Sequence, residues 1–176
     1  MKLILFTFFI LFNQLDSLEQ STVNEREHPG TVVKIVDGDT FDILTQEKNT
    51  LRIRMNGIDC PERKQDFYQS AKNALAGYIF NKEVKLLVTG RDRNKRIIAT
   101  VYRNGENINL SMIQNGYAWH YKKYSTDTVY AKAEQQARLA RKGLWRMDDP
   151  IAPWDYRKNR FTNLLFTLSY SKRKDP

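Results

Sequence analysis

Cysteine is almost absent from this sequence, since Cys60 is the only one among 176 residues. A single cysteine excludes an internal disulfide, even if the protein is exported. A chain of this length can bury a core without disulfide support, so we expect one domain with short extensions. Internal repeats and low-complexity tracts are also absent, which excludes repeat architectures.

Long apolar runs are missing as well. The run from Leu3 to Phe12 follows one lysine and is too short to span a bilayer. It is typical of a secretory signal peptide covering residues 1–17, with cleavage predicted after Ser17. We therefore expect a secreted or periplasmic protein. The alternative is a protein anchored to the membrane by an uncleaved N-terminal segment.

Acidic residues are outnumbered, with 20 Asp and Glu against 29 Lys and Arg, and the formal net charge is +9. Basic clusters displace counterions from phosphate backbones, so this balance favours a polyanionic partner. An anionic membrane surface would satisfy the same charge.

The tail from Arg157 to Pro176 carries six Lys or Arg and one Asp. It is either an accessory strip for nucleic acid or an anionic surface, or a partly disordered solubilising tail.

Alternating and β-branched apolar residues predict five strands. A polar, unstructured lead-in is expected over residues 18–29, with the folded part beginning near Gly30. Turns are predicted at Asp37-Gly38 and Asn104-Gly105, where the residue types favour tight connections. The predicted strands are TVVKIV, TFDIL, LRIRM, VKLLV and IIATVY.

Helical spacing of apolar residues predicts about three α-helices. The first is expected from about Gln65 to Phe80. The second, LSMIQN, should stop at Gly116, and the third should start near Asp127 or Thr128 and end at Gly143. Short strands interrupted and followed by helices indicate an α+β protein that is mainly β-barrel, a five-stranded Greek-key barrel of the oligonucleotide-binding (OB) type.

Three carboxylates and an arginine fall within or beside consecutive predicted strands: Asp39, Arg54, Asp59 and Glu62. If the strands pair through a turn near Lys48-Asn49, Asp39 and Asp59 can face each other. Such a group suits a hard cation and a phosphate. The structural alternatives are a turn-stabilising Asp39 and a Glu62 that acts as a helix N-terminal charge.

Several motifs in this order and spacing resemble the staphylococcal nuclease (thermonuclease) family, over about Gly30 to Lys158. They are VDGDT, the R-x-x-x-x-D-x-P-E pattern starting at Arg54, the D-x-x-x-R pattern of Asp92 to Arg96, and NLSMIQNGYAW. The segments KGLW and PIAPWDYR resemble the closing motif of the family's bacterial members. Each motif alone is weak, but together they are specific.

The resemblance implies a Ca²⁺ site formed by Asp39, Asp59 and the main-chain carbonyl of Cys60, a ligand type that calcium accepts. It implies that Glu62 activates the attacking water and that Arg54 and Arg96 grip the scissile phosphate. For Arg96, the alternative is one more solvated charge in a basic loop.

The implied activity is calcium-dependent hydrolysis of DNA and RNA with little sequence specificity, leaving 3′-phosphate ends. We expect a monomer with no obligate protein partner. A non-catalytic nucleic-acid-binding OB-fold scaffold is the alternative. A basic protein of the membrane surface or cell wall is another, but it leaves the carboxylates unexplained.

The resemblance implies nucleotide contacts for Arg93, Tyr121 and Tyr124. The aromatic faces of the two tyrosines can stack on bases without selecting sequence. Trp119 is predicted to be a core residue and His120 a packing or surface residue. The chain also departs from the best-known family member. Cys60 replaces a threonine, Lys95 replaces a glycine, and the loop over residues 63–67 is shorter, so loop shape and substrate affinity are expected to differ.

Overall fold

The computed structural model describes residues 27–160. The strands in this part of the chain are β1 Glu27–Ile35, β2 Thr40–Leu44, β3 Thr50–Met55, β4 Ile58–Asp59, β5 Glu83–Arg91, β6 Ile97–Arg103, β7 Glu106–Asn107 and β8 Trp119–His120. The helices are α1 Tyr68–Ile79, α2 Ile108–Gln114, α3 Thr128–Leu139 and α4 over residues 153–160, with a 3₁₀ helix at Gly143–Arg146.

Five strands form a closed barrel. The antiparallel order is β3-β2-β1-β5-β6, and a parallel pairing of β3 with β6, which aligns Ile53 with Ile97, joins the two ends. Closure leaves little open sheet edge, apart from the first residues of β1. The predicted α+β class and OB-type barrel are therefore confirmed.

Alternate side chains of the barrel strands fill its interior, and α1 closes one side of it. Ala71, Leu75 and Ile79 lie four residues apart on α1 and are fully buried against the barrel. Burial of each large apolar side chain stabilises the fold by about 1.5–3 kcal/mol. The largest fully buried side chains on the barrel strands are Phe41, Ile43, Ile53, Met55 and Leu86.

The first strand begins three residues before the predicted start of the fold near Gly30. Strand β1 already begins at Glu27, because residues 27–30 pair with β5, as in the register of Glu27 with Leu87. Pro29 is tolerated there because this part of β1 pairs with β5 alone and behaves as an edge. The lead-in prediction thus fails for residues 27–29. Residues 18–26 lie outside the described part of the chain.

Helix boundaries also differ from the prediction. Helix α1 starts at Tyr68 rather than Gln65, because Phe67 has a left-handed backbone (φ 65°) that cannot continue a helix. Gly116 ends α2 as expected, with φ of 69° just past the cap. Helix α3 ends at Leu139, before the predicted Gly143, and the left-handed residue after its cap is Arg141.

A second apolar cluster holds the C-terminal part of the domain. Trp119 meets Trp145 edge-on at 4.4 Å between ring centroids, and Trp154 at 5.5 Å. Trp154 belongs to α4, a helix that the prediction of about three helices did not include and that extends past the predicted domain end at Lys158. The cluster fixes α4 beside β8.

No helix within residues 27–160 has the length and apolar character needed to cross a membrane. The predicted signal peptide and residues 161–176 of the predicted basic tail lie outside the described residues.

Candidate active site

Strand register brings the site together at one end of the barrel. Thr40 lies opposite Arg54 in the β2–β3 pair, and the Asp39 carbonyl accepts a hydrogen bond of 2.8 Å from the Met55 N–H. Asp59 follows on β4, only four residues after the end of β3. The predicted approach of Asp39 to Asp59 is what this register produces.

Gly38 allows the Asp39 turn to pack tightly. A Cβ atom at Gly38 would lie 2.8 Å from the Cys60 Cβ and 2.9 Å from the Ala71 Cβ. Because Gly38 leaves that space free, the Asp39 carboxylate reaches the Cys60 N–H at 2.8 Å. The DGD turn is thereby held against both β4 and α1.

Arg54 bridges the two aspartates. Its Nη1 lies 2.9 Å from Asp39 Oδ2 and its Nη2 lies 2.8 Å from Asp59 Oδ1. Its side chain is only 14% exposed, and Nη1 also donates to the Met55 carbonyl. Both carboxylates are buried. One planar guanidinium therefore fixes the spacing of two buried carboxylates.

Burial and charge perturb these groups strongly. Burial raises the pKa of Asp39 to about 8, helped by Asp37 and Asp59 and opposed by Arg54. Burial acts to lower the pKa of Arg54, but Asp39 and Asp59 outweigh it and the net shift is upward. Asp39 therefore holds a proton more tightly than an exposed carboxyl group does, and Arg54 keeps its charge.

Arg157 completes the outer part of the site. From α4, its Nη2 donates to Asp59 Oδ2 at 2.7 Å and its Nη1 donates to Glu62 Oε1. Burial opposes the charged form of Arg157, but the hydrogen bond to Asp59 and the contact with Glu62 raise its pKa. The predicted metal ligand and the predicted general base therefore share one guanidinium.

Gln65 ties the Glu62 loop to the C-terminal segment. Its Oε1 accepts a hydrogen bond from the Glu62 N–H at 2.9 Å, and its Nε2 donates to the Ile151 carbonyl. Glu62 is thus positioned by contacts from two directions, although its side chain is one-third exposed.

Arg96 reaches the same cluster through Thr40. Its Nε pairs with Asp92 Oδ2 at 2.7 Å, and Asp92 Oδ1 also accepts the Arg96 N–H. Arg96 Nη1 lies 3.5 Å from Thr40 Oγ1, whose hydroxyl donates to Asp39 Oδ1 at 3.2 Å. The Asp92 offset noted in the sequence therefore orients Arg96 towards the carboxylates.

The loop before Arg96 has the conformation that a glycine would favour. Lys95, in place of the family's glycine, has φ of 63° in the left-handed region. Arg93 is exposed at the tip of this loop, so the structure leaves it outside the carboxylate cluster.

The two predicted stacking tyrosines have different surroundings. Tyr121 already stacks on Trp154, with 5.1 Å between centroids and 7° between planes. Tyr124 is 65% exposed, meets Tyr121 edge-on, and has the Lys123 ammonium 5.5 Å from its ring centroid. Tyr124 offers an open face to a base, whereas Tyr121 supports the C-terminal helix with one face.

Cys60 and His120 are packing residues in this structure. Burial raises the pKa of the Cys60 thiol well above its usual value, so the thiol stays protonated. His120 is buried, contacts Ser125 Oγ through Nε2 at 3.2 Å and packs edge-on against Tyr130.

The site offers oxygen donors of the kind that a calcium ion would take. Asp39 and Asp59 converge on the same guanidinium, are buried, and carry the hard oxygen ligands that calcium prefers. Between residues 27 and 160, no three His, Cys, Asp or Glu side chains are arranged as a closed metal site. Two carboxylates and the Cys60 carbonyl would hold the ion, with water completing its shell.

Sequence reasoning missed Thr40, Gln65 and Arg157 as site residues. Thr40 was visible only as the last letter of VDGDT, and Arg157 as the last letter of PIAPWDYR. Nothing in the local spacing links Arg157 to Asp59, 98 residues away.

Comparison with known proteins relates this chain to a family of nucleases. A sequence profile of the staphylococcal nuclease homologue family matches residues 52–147, which include Arg54, Asp59, Glu62 and Arg96. An uncharacterized endonuclease of Haemophilus influenzae is 36% identical over 165 residues, covering 94% of this chain and 90% of that protein.

Two further relatives show similar identity. An uncharacterized endonuclease of Escherichia coli is 37% identical over 132 residues, covering 74% of this chain and 86% of its own length. A probable staphylococcal-like nuclease of Oryza sativa subsp. japonica is 36% identical over 127 residues, covering 72% of this chain and 33% of that protein.

Proposed function

The chain belongs to the staphylococcal nuclease family, and on that premise we propose that it is a calcium-dependent endonuclease of DNA and RNA. Its family and the endonuclease names of its relatives support hydrolysis of nucleic acid. The observation that carries the finer proposal is the convergence of Asp39 and Asp59 on Arg54, with Arg96 linked to Asp39 through Thr40.

Each side chain has a role that its position supports. Arg54 and Arg96 bind the phosphate and the charge that develops on it, because planar guanidinium forks match phosphate oxygens. Glu62 accepts the proton of the attacking water. Calcium, when bound, supplies positive charge beside the phosphate and the water.

The reaction breaks the bond between phosphorus and the 5′ oxygen while water forms a new bond on the opposite side. The products are a 3′-phosphate and a 5′-hydroxyl end. No side chain is needed to read a base, which agrees with little sequence specificity. Tyr124 and Lys123 present an exposed aromatic face and a charge that suit stacking with any base.

Metal dependence tests this proposal directly. The full chain should cleave single-stranded and duplex DNA and also RNA in calcium, and should lose activity with excess chelator. Replacement of calcium by magnesium is expected to lower the rate, because magnesium demands stricter geometry than this open site offers. Binding of DNA in calcium without any cleavage would contradict the proposal and favour the scaffold alternative.

We also propose that the protein is exported through its N-terminal segment. The short apolar run after one lysine supports this. N-terminal sequencing of protein recovered from the periplasm or medium should begin near Leu18. Recovery of the full chain in membranes alone would contradict secretion and favour the anchored alternative.

A further inference from the structure

We infer that Arg157 is an internal competitor of the divalent cation, a guanidinium that holds Asp59 and Glu62 until a cation displaces it. This inference rests on the proposed function, because it concerns how the same site is loaded. It adds a regulatory side chain from the C-terminal helix to the barrel site.

The contacts of Arg157 lie on the groups that the cation and the water need. Its Nη2 donates to Asp59 Oδ2 at 2.7 Å, its Nη1 lies 3.3 Å from Asp59 Oδ1, and Nη1 also donates to Glu62. Both oxygens of Asp59 are therefore engaged by one guanidinium. A cation that binds Asp59 would place its charge beside this guanidinium, and like charges at such distances repel.

Arg157 can leave, whereas Arg54 is fixed. The Arg157 side chain is 41% exposed, while that of Arg54 is 14% exposed and is bound on two sides by carboxylates and by the Met55 carbonyl. A partly exposed guanidinium can regain hydration when it releases its partner.

The helix that carries Arg157 does not have to move with it. Trp154 on α4 stacks on Tyr121 and meets Trp119 edge-on, so the helix is anchored independently of the ion pair. Displacement therefore requires only a change of side-chain rotamer. Arg157 would remain beside the site and return to Asp59 when the cation leaves.

The charge balance of the cluster favours exchange. The carboxylates of Asp59 and Glu62 share the single guanidinium of Arg157, and Asp59 also pairs with Arg54. A divalent cation can replace the single charge of Arg157 and still neutralise the carboxylates. Since the same guanidinium holds Glu62, cation binding at Asp59 also releases the general base. Cation loading and activation of the base are thereby coupled.

Calcium affinity measured by titration calorimetry on the full chain, without nucleic acid, tests the inference. Removal of the competitor in Arg157→Ala should tighten calcium binding by about tenfold to a hundredfold, as expected for coupled binding events. Arg157→Lys, which keeps the charge but loses the fork, should be intermediate. Arg160→Ala is the control, because it removes the same charge from an exposed position on the same helix. It should change the affinity less than about twofold.

A readout on the unaltered protein avoids reliance on the folding of a variant. The Arg157 side-chain Nη–H resonances, identified by their loss in Arg157→Lys, should move towards the solvent-exposed position as calcium is added. The Arg54 Nη–H resonances should keep their hydrogen-bonded signature.

The outcomes separate the two proposals. Equal or weaker calcium binding by Arg157→Ala, or an Arg157 resonance that calcium does not move, would overturn the competitor role and leave the nuclease proposal standing. Absence of calcium binding by both wild type and Arg157→Ala would overturn the calcium proposal and this inference with it.

Discussion

The inner and outer parts of the site are built differently. The inner part, Asp39, Arg54 and Asp59, lies on or directly beside paired strands; its two carboxylates are buried and the Arg54 side chain is 14% exposed. The outer part, Glu62, Arg96 and Arg157, comes from loops and the C-terminal helix and is partly exposed. Strand register therefore fixes the relative positions of the inner side chains. The partly exposed outer side chains remain free to exchange partners during a reaction.

Of the changes considered, removal of the general base Glu62 should have the largest effect on kcat. Glu62→Gln keeps the shape but cannot accept a proton, so kcat should fall about 10²- to 10⁴-fold. Calcium-dependent nucleotide binding should remain close to wild type. Steady-state cleavage assays with a binding measurement will check this. Glu47→Gln, at an exposed turn position, is the matched control, and near-wild-type kcat in Glu62→Gln would remove Glu62 from the mechanism.

Loss of the Arg54 guanidinium group should have the next largest effect on kcat. Arg54→Lys retains a charge but cannot bridge Asp39 and Asp59, so kcat should fall about 10²- to 10³-fold. Arg52→Lys is a close control, because Arg52 lies two residues away on β3 and pairs with Asp42 instead. Similar losses of kcat in both variants would contradict the special role of the inner position.

Calcium affinity should depend on pH through Asp39, whose pKa is raised to about 8. Below that pH a proton must leave before the cation binds, so affinity should rise up to about tenfold per pH unit and then level off. The free energy of unfolding of the cation-free protein should carry the opposite trend. It should fall as pH rises from about 4 to about 8, because the folded state holds this proton more tightly than the unfolded state.

Titrations between pH 6 and 9, by calorimetry for calcium and by chemical denaturation for stability, will check both trends. Asp39→Asn should weaken calcium binding and also flatten both pH profiles. Profiles that stay unchanged in Asp39→Asn would assign the dependence to another group.

The loop before Arg96 should give the smallest effect. Lys95→Gly relieves a left-handed backbone but increases the freedom of the unfolded chain, and these terms nearly cancel. The free energy of unfolding should change by less than about 1 kcal/mol. Denaturant unfolding will measure it, with Lys48→Gly, another left-handed lysine in a turn, as the comparison. A loss above that limit would show that the Lys95 side chain stabilises the loop.

Sequence reasoning reached the inner part of the site because its signals are local. Asp39 and Arg54 stand at ends of strands whose alternation and turn residues are visible, so their pairing follows from register. Arg96 could be oriented because Asp92 lies within the same turn.

Within the outer part, Arg157 escaped for a physical reason. Arg157 meets Asp59 only because Trp154 packs into a cluster of tryptophans that are distant in sequence, and no periodic pattern encodes that docking. The beginning of β1 was also missed, because its side chains carry no strand pattern. Its polar residues at Glu27 and His28 pair through backbone groups, which any side chain allows.

The chemistry of the product ends tests the central claim most directly. DNA cleaved by the full chain in calcium should be analysed for its termini by phosphatase sensitivity and mass spectrometry. The proposed reaction, in which Glu62 holds the attacking water and the 5′ oxygen leaves as the family resemblance implies, predicts 3′-phosphate and 5′-hydroxyl ends. Products with 3′-hydroxyl and 5′-phosphate ends, or no products at all, would contradict the account.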